Sequence, residues 1–187
     1  CLNYLSKLIK INNWANTYIY PIGIFNENSL QYLEGKSDYD KSSSIIPDCA
    51  ETKKVVKKIT SFYTYETIKN FIGTDKVDII KIDTEGTEPE VIKTLESLVR
   101  KDLPLIFIEV LKLQKDNALK ISRDQDLCSY IKKLDYIIFR INKNLKNKFT
   151  SIEEINSFGD YSDNIYADHL LIPIDKVNIY KSLVKTK

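Results

Sequence analysis

The sequence contains no methionine, and histidine and tryptophan occur once each in 187 residues. With Cys1 first and no initiator, the chain is expected to be a fragment or a processed product, not a full translated one. Its three cysteines, Cys1, Cys49 and Cys128, are odd in number, far apart and without metal-ligand spacing. That argues against a disulfide framework and a zinc site, and for a reducing compartment. No apolar run approaches the roughly 20 residues that cross a bilayer, and no charged, apolar, small-residue opening marks a signal peptide. Charge of one sign is lacking too. The 28 basic and 26 acidic residues are interspersed, and a net charge of +2 gives no field to gather nucleic acid or anionic lipid. What is present, 43% hydrophobic and 29% charged residues, suits one soluble, cytoplasmic globular domain over residues 1–187.

Leu2, Leu5, Leu8 and Ile9 stand at helical spacing with lysines between them, which predicts an amphipathic helix over 2–12. Residues 17–24, TYIYPIGI, are β-branched and aromatic and read as a strand, with Pro21 marking an edge or an end. After a turn at Asn26 to Asn28, residues 29–34 are expected to pair back as a short strand. Residues 35–44 read as a mobile polar loop, 53–60 as a strand, and 65–72 as a helix closed by Gly73. The run 77–82, VDIIKI, has the continuous apolar character of a strand buried on both faces. Thr87 and Glu90 fit a capping box for a helix over 88–101, whose Val91, Ile92, Leu95, Leu98 and Val99 share one face. Residues 105–110, LIFIEV, complete a β-α-β unit with parallel strands. Ser122 and Gln125 are expected to cap a helix striped by Leu127, Ile131 and Leu134. Strands at 136–141 and 167–172 close the domain, around a polar stretch over 142–164. Alternating strands and helices point to an α/β layered domain with a mostly parallel sheet.

In open α/β sheets ligands bind beyond the carboxyl ends of the strands. Asp83 directly follows one strand and Glu109 ends the next, so neighbouring strands set the two carboxylates about 5 Å apart. Glu85 is two residues on, and Gly86 permits a sharp turn. Three converging carboxylates could accept a proton, hold a cation or anchor a hydroxyl or ammonium group, and their repulsion raises at least one pKa.

The run IKIDTEG from Ile80 to Gly86, Glu88, a helix, and a strand ending in Glu109 and Val110 resembles the FkbM methyltransferase signature in order and spacing. The strand at 17–24, the turn at Asn26 and the serines 42–44 are more weakly similar to that family. The resemblance implies a class I, Rossmann-like methyltransferase fold with helices on both faces and S-adenosylmethionine as donor. It implies O-methylation of a hydroxyl on a glycan or secondary metabolite, Ile22 and Asp83 on the cofactor, and Asp83, Glu85 and Glu109 as catalytic. Asp83 is expected to take the proton, with Glu85 and Glu109 orienting the substrate or holding a divalent cation. One part of the pattern is missing. No glycine precedes Gly23, so the glycine-rich turn after the first strand, and that strand itself, would lie before Cys1. Since that strand is central in the family's sheet, its absence is expected to split the sheet and to leave cofactor binding weak.

Each candidate has a plainer reading beside it. Asp83 could cap its turn, and Glu88 and Glu90 are expected to serve as helix N-terminal charges, not ligands. His169, the lone histidine, beside Asp168, is read as structural because no base-orienting group is evident. Tyr63, Tyr65 and Phe71 are read as core, and the lysines 143–148 as a solvated loop. Two other functions compete with methyl transfer: an inactive fragment or interaction module, and more weakly a magnesium-dependent phosphatase. Asp83 and Glu85 faintly resemble the paired carboxylates of haloacid dehalogenase-like enzymes, although the motif lies too late in the chain and lacks the second aspartate.

Overall fold

The computed structural model describes residues 2–35, 45, 56–111, 118–158 and 166–183, without the side chains of 181–183. Residues 36–44, most of the expected loop, lie outside the described residues, as do Cys1 and Cys49.

Helix α1 (Leu2–Ile11) forms where expected, but its apolar stripe is not covered: no residue is buried, and Ile11 is 75% exposed. The strand expected over 17–24 shrinks to β1 (Gly23–Ile24). Pro21 lacks an N–H for a ladder, and Tyr18 and Tyr20 remain exposed. Strand β2 (Ser29–Gly35) does not pair back on that segment. It runs antiparallel to β3 (Val56–Tyr63), which also takes β1 in parallel, giving a three-stranded sheet of order β1-β3-β2. Helix α2 (Tyr65–Ile72) follows as predicted. Thr64 accepts from the Thr67 N–H at its start, and Gly73 closes it at φ 61°, a left-handed geometry suited to glycine.

The second sheet has five strands in the order β4 (Ile79–Ile82), β5 (Leu105–Glu109), β8 (Asp168–Pro173), β6 (Tyr136–Lys143) and β7 (Phe149–Ile155). Only β4 and β5 are parallel; β5–β8, β6–β8 and β6–β7 are antiparallel. The expectation of a mostly parallel sheet is therefore corrected: β8 returns between β5 and β6, and a hairpin adds β7 from the stretch read only as polar. That hairpin turns on Asn144, whose Oδ1 accepts from the Lys146 and Lys148 N–H groups, and on Asn147 at φ 58°. The described strands fall into two sheets. β4 lies at an edge of the larger one, with β5 as its one partner among the described residues. β4 is not buried on both faces as expected: Ile79 is 61% exposed and only Ile82 is fully covered.

The β-α-β unit forms as anticipated, with its connecting helix in two pieces, α3 (Glu88–Thr94) and α4 (Glu96–Asp102). Leu95 between them has ψ 2°, yet its N–H still donates to Val91 O and its carbonyl accepts from the Val99 N–H. The apolar stripe is thus continuous, and Val91, Ile92, Leu95, Leu98 and Val99 are all buried. With Leu127 and Ile131 of α5 (Ala118–Lys133) and the following Leu134, they pack on Ile82, Ile106, Ile108, Ile138 and Leu171 from one sheet face. Ser122 and Gln125 fall inside α5 and cap nothing, because the helix begins four residues before Ser122. On the other face Phe139 and Ile172 meet Val177 of α6 (Val177–Leu183), which a 3-10 turn (Ile174–Lys176) joins to β8. Helices therefore lie on both faces. Of the aromatics read as core, Tyr65 packs on it and Tyr63 is half-buried, but Phe71 is 79% exposed. Phe62, edge-on to Phe25, is buried instead.

Candidate functional site

The register of β4 on β5 pairs Ile82 with Ile108, so Asp83, one residue on, stands beside Glu109. Strand alternation sends Asp83 and Glu109 to the face opposite Ile82 and Ile108, together with Lys81 and Phe107. From the other side β8 brings Asp168 opposite Glu109 as its register partner. Three acidic side chains thus line up across adjacent strand ends, Glu109 and Asp168 within the ladder and Asp83 one residue beyond it. Glu85, from the turn after β4, is near enough to act electrostatically on Glu109.

Two lysines offset this charge. Lys81 Nζ lies 2.5 Å from Asp83 Oδ2, and Lys143, at the end of β6, pairs with Asp168. Lys81 also acts on Glu109 electrostatically, but its ammonium is paired with Asp83. Partial burial, then the negative charge of Asp83, a side-chain hydrogen bond to Asp83, and the charges of Asp168 and Glu85 push its carboxyl up to about 7. Glu109 therefore keeps its proton up to near neutrality beside Asp83, as expected for like charges brought together.

The turn that carries Glu85 is unusually constrained. Glu85 has φ 54° and Gly86 φ 109°, and a left-handed conformation costs a side-chain-bearing residue about 1–2 kcal/mol. Glu88, buried at 5% exposure, meets this cost by folding back. Its Oε1 accepts from Thr84 Oγ1 at 3.0 Å, from the Gly86 N–H at 3.0 Å and from the Thr84 N–H at 3.3 Å. Turn capping, the plainer alternative for Asp83, is thus performed by Glu88, which is more than a helix-dipole charge. The capping box at Thr87 and Glu90 does not form: Thr87 makes no side-chain cap bond, and its hydroxyl donates to Thr84 O at 3.4 Å. Glu90 is drawn away by Arg123 of α5, whose guanidinium grips it with Nη1 and Nη2 at 2.8 and 2.7 Å. Arg123 Nη2 also donates to Gly86 O at 2.8 Å.

His169 is fully buried, edge-on to Phe158 with ring centroids 4.8 Å apart. Its parity puts it on the core face, away from Asp168, and burial pulls its pKa down to about 4. It is a neutral core residue, in keeping with the structural reading. Cys128 is a buried free thiol donating to Asn156 O. Ile22 is half-buried immediately before β1, whose sheet is not the one that carries the carboxylates; nearby Ile24 packs on the core that contains Ile82. The structure brings Asp83, Glu85 and Glu109 together and leaves Ile22 on a separate element. Asp168 and Lys143 were missed because only the antiparallel return of β8 makes them neighbours of Glu109, and Lys81 was passed over although it lies two residues before Asp83. Glu88 had a usable signal, an acid two residues beyond a turn glycine, whereas Arg123 had none.

Among the described residues no group of three or more His, Cys, Asp or Glu side chains is arranged to hold a metal ion, and no helix is long and apolar enough to cross a membrane. A family model described as the methyltransferase FkbM domain matches residues 1–138. No curated protein and no solved structure matches the chain. The chain belongs to the FkbM methyltransferase domain family.

That family implies S-adenosylmethionine, and the chain's glycines test the fit. A Cβ at Gly23 would fall 2.1 Å from the Phe62 ring, so its bare face is filled by protein. Gly86 spends its N–H on Glu88 and its carbonyl on Arg123. Neither Gly23 nor Gly86 offers free backbone to a ligand, so these two glycines do not fit a glycine-backed donor cradle.

Proposed function

Proceeding from membership of the FkbM methyltransferase family, we propose that this chain carries the acceptor side of an S-adenosylmethionine-dependent O-methyltransferase acting on a hydroxyl of a glycan or small metabolite in the cytoplasm. When bound, the donor supplies an activated methyl group, so the protein's task is to align the hydroxyl and take its proton. The observation that carries this reading is the carboxyl pair of Asp83 and Glu109 at the strand ends, with Glu109 at about 7. A base near the working pH combines an available deprotonated form with real proton affinity. Within the pair the proton acceptor is Glu109, because Asp83 is engaged by Lys81. Asp83 and Glu85 orient the hydroxyl, and loss of its proton leaves the acceptor oxygen as nucleophile. Ile22 and Asp83 are the residues proposed to face the donor, Ile22 as an apolar wall.

The test is transfer of labelled methyl from millimolar S-adenosylmethionine to a panel of glycosides and polyols. Transfer is expected with wild type and at least a tenfold loss in Glu109→Gln, in line with the roughly 10²–10⁴-fold value of general base catalysis. Unchanged transfer in the variant would refute the assignment. A second reading, a chain that keeps the architecture without donor binding, is favoured by the packing of Phe62 on Gly23. It predicts no transfer to any acceptor and calorimetric affinity for S-adenosylhomocysteine weaker than micromolar.

A further inference from the structure

The geometry points to Arg123 as a positioning residue, which locks the turn of residues 83–86 from outside so that the Glu85 carboxylate is delivered to Glu109. The proposal rests on the reading of Asp83, Glu85 and Glu109 as the reacting site, and adds a residue with no place in that reading.

Glu85 sits between two pinned neighbours. On one side Glu88 holds Thr84 through its N–H and hydroxyl, and on the other Gly86 is held at both ends of its backbone, by Glu88 at the N–H and by Arg123 at the carbonyl. Left to itself, a glutamate at φ 54° would relax to negative φ and swing its side chain away. Glu88 belongs to the same turn and the helix it starts, so it moves with them. Arg123 does not. It comes from α5, and its two-pronged grip on Glu90 of α3, side chains 24% and 17% exposed, fixes where the second N–H of Nη2 points. A planar guanidinium can serve a carboxylate and a carbonyl at once in a way a lysine ammonium cannot. Core packing of α5 thereby sets the angle of a turn more than thirty residues earlier in the chain.

The groups facing Glu109 are Asp83 and Lys81 from β4, Glu85 from the turn, Asp168 from β8 and, through Asp168, Lys143 from β6. Glu85 raises the proton affinity of Glu109, so the Glu109 titration reports where Glu85 is. The experiment is a carbon-13 NMR titration of the Glu109 carboxyl in the whole chain, without donor or acceptor, assigned with Glu109→Gln. Arg123→Ala is expected to lower the Glu109 midpoint by the same amount as Glu85→Gln, and the double variant to lower it no further. The sign is diagnostic, since mere loss of a nearby cation would raise the midpoint. Arg123→Lys, which keeps the charge and loses the fork, and Glu90→Gln, which releases the grip, are expected to move the midpoint the same way. They carry the test if Arg123→Ala does not fold. A midpoint unchanged or raised in folded Arg123 variants, or additive effects in the double variant, would overturn the proposal. Shifts of the stated kind in a chain that transfers no methyl would sustain the positioning role and remove the methyltransferase reading. Methyl transfer with unmoved midpoints would do the reverse.

Discussion

Replacing His169 by leucine should flatten the acid side of the stability curve. The imidazole titrates at 6.5 when free and at about 4 in the buried site. Above 6.5 it is neutral in both folded and unfolded chains and contributes no pH dependence. As pH falls below 6.5 the unfolded chain takes up a proton that the folded chain refuses, and the native state loses ground until the folded value is reached. Linkage with these two values puts the loss from this one group at about 2 kcal/mol between pH 7 and pH 5, and about 3 kcal/mol below pH 4. Glu109 and Asp124, whose values are raised to about 7 and about 6, act with the opposite sign: they favour the folded state as pH falls toward their unfolded values. The raw wild-type curve therefore mixes opposing contributions, and only the comparison of wild type with His169→Leu isolates the histidine. Urea unfolding at pH 7 and pH 5 makes the measurement. With a slope of about 2 kcal/mol per molar urea, the wild-type midpoint should fall about 1 M further than the variant's over that interval. Any fixed packing cost of the leucine beside Phe158 cancels in this difference. Equal falls in the two proteins would refute the burial of a neutral histidine and the physical argument built on it.

Gly23→Ala should destabilise by about 1–3 kcal/mol, the usual cost of overpacking, because the new methyl would meet the Phe62 ring at 2.1 Å. A thermal melt checks this, and Phe62→Leu added to Gly23→Ala should recover part of the loss. Glu88→Ala removes one acceptor serving three donors in the turn and should cost about 1–3 kcal/mol, with faster hydrogen exchange at the Gly86 amide as its local signature.

Local pattern was a reliable guide wherever burial followed chain periodicity. The stripe from Val91 to Val99 and the strand at 105–109 are as read, since their neighbours along the chain supply most of their environment. Helix α2 was legible through the glycine that closes it, Gly73. Reading failed where a distant segment decided the outcome. The stretch over 142–164 hid β7, which is a strand because β6 lies beside it, and 17–22 stayed outside the sheet despite β-branched and aromatic residues. The capping box at Thr87 was lost to Arg123, a competitor 36 positions away. Of the site, Asp83 and Glu109 were visible as strand ends, and Glu85 as part of a turn. Their proton affinities were not, because Asp168 arrives from the far end of the chain.

The central place of β8 has a consequence for how the molecule assembles. Residues 168–173 hydrogen-bond to both β5 and β6, two strands that otherwise have no contact in the sheet. Until this late segment arrives, the earlier strands form two separate ladders, β4 with β5 and β6 with β7, each with an unsatisfied side. Closing them needs pairings of β8 with β5 roughly sixty positions back and with β6 roughly thirty back, the non-local kind of contact that slows folding. On the ribosome the sheet would therefore be completed only after residues 168–173 have emerged, and the Glu109 environment, to which Asp168 belongs, would be finished in the same step.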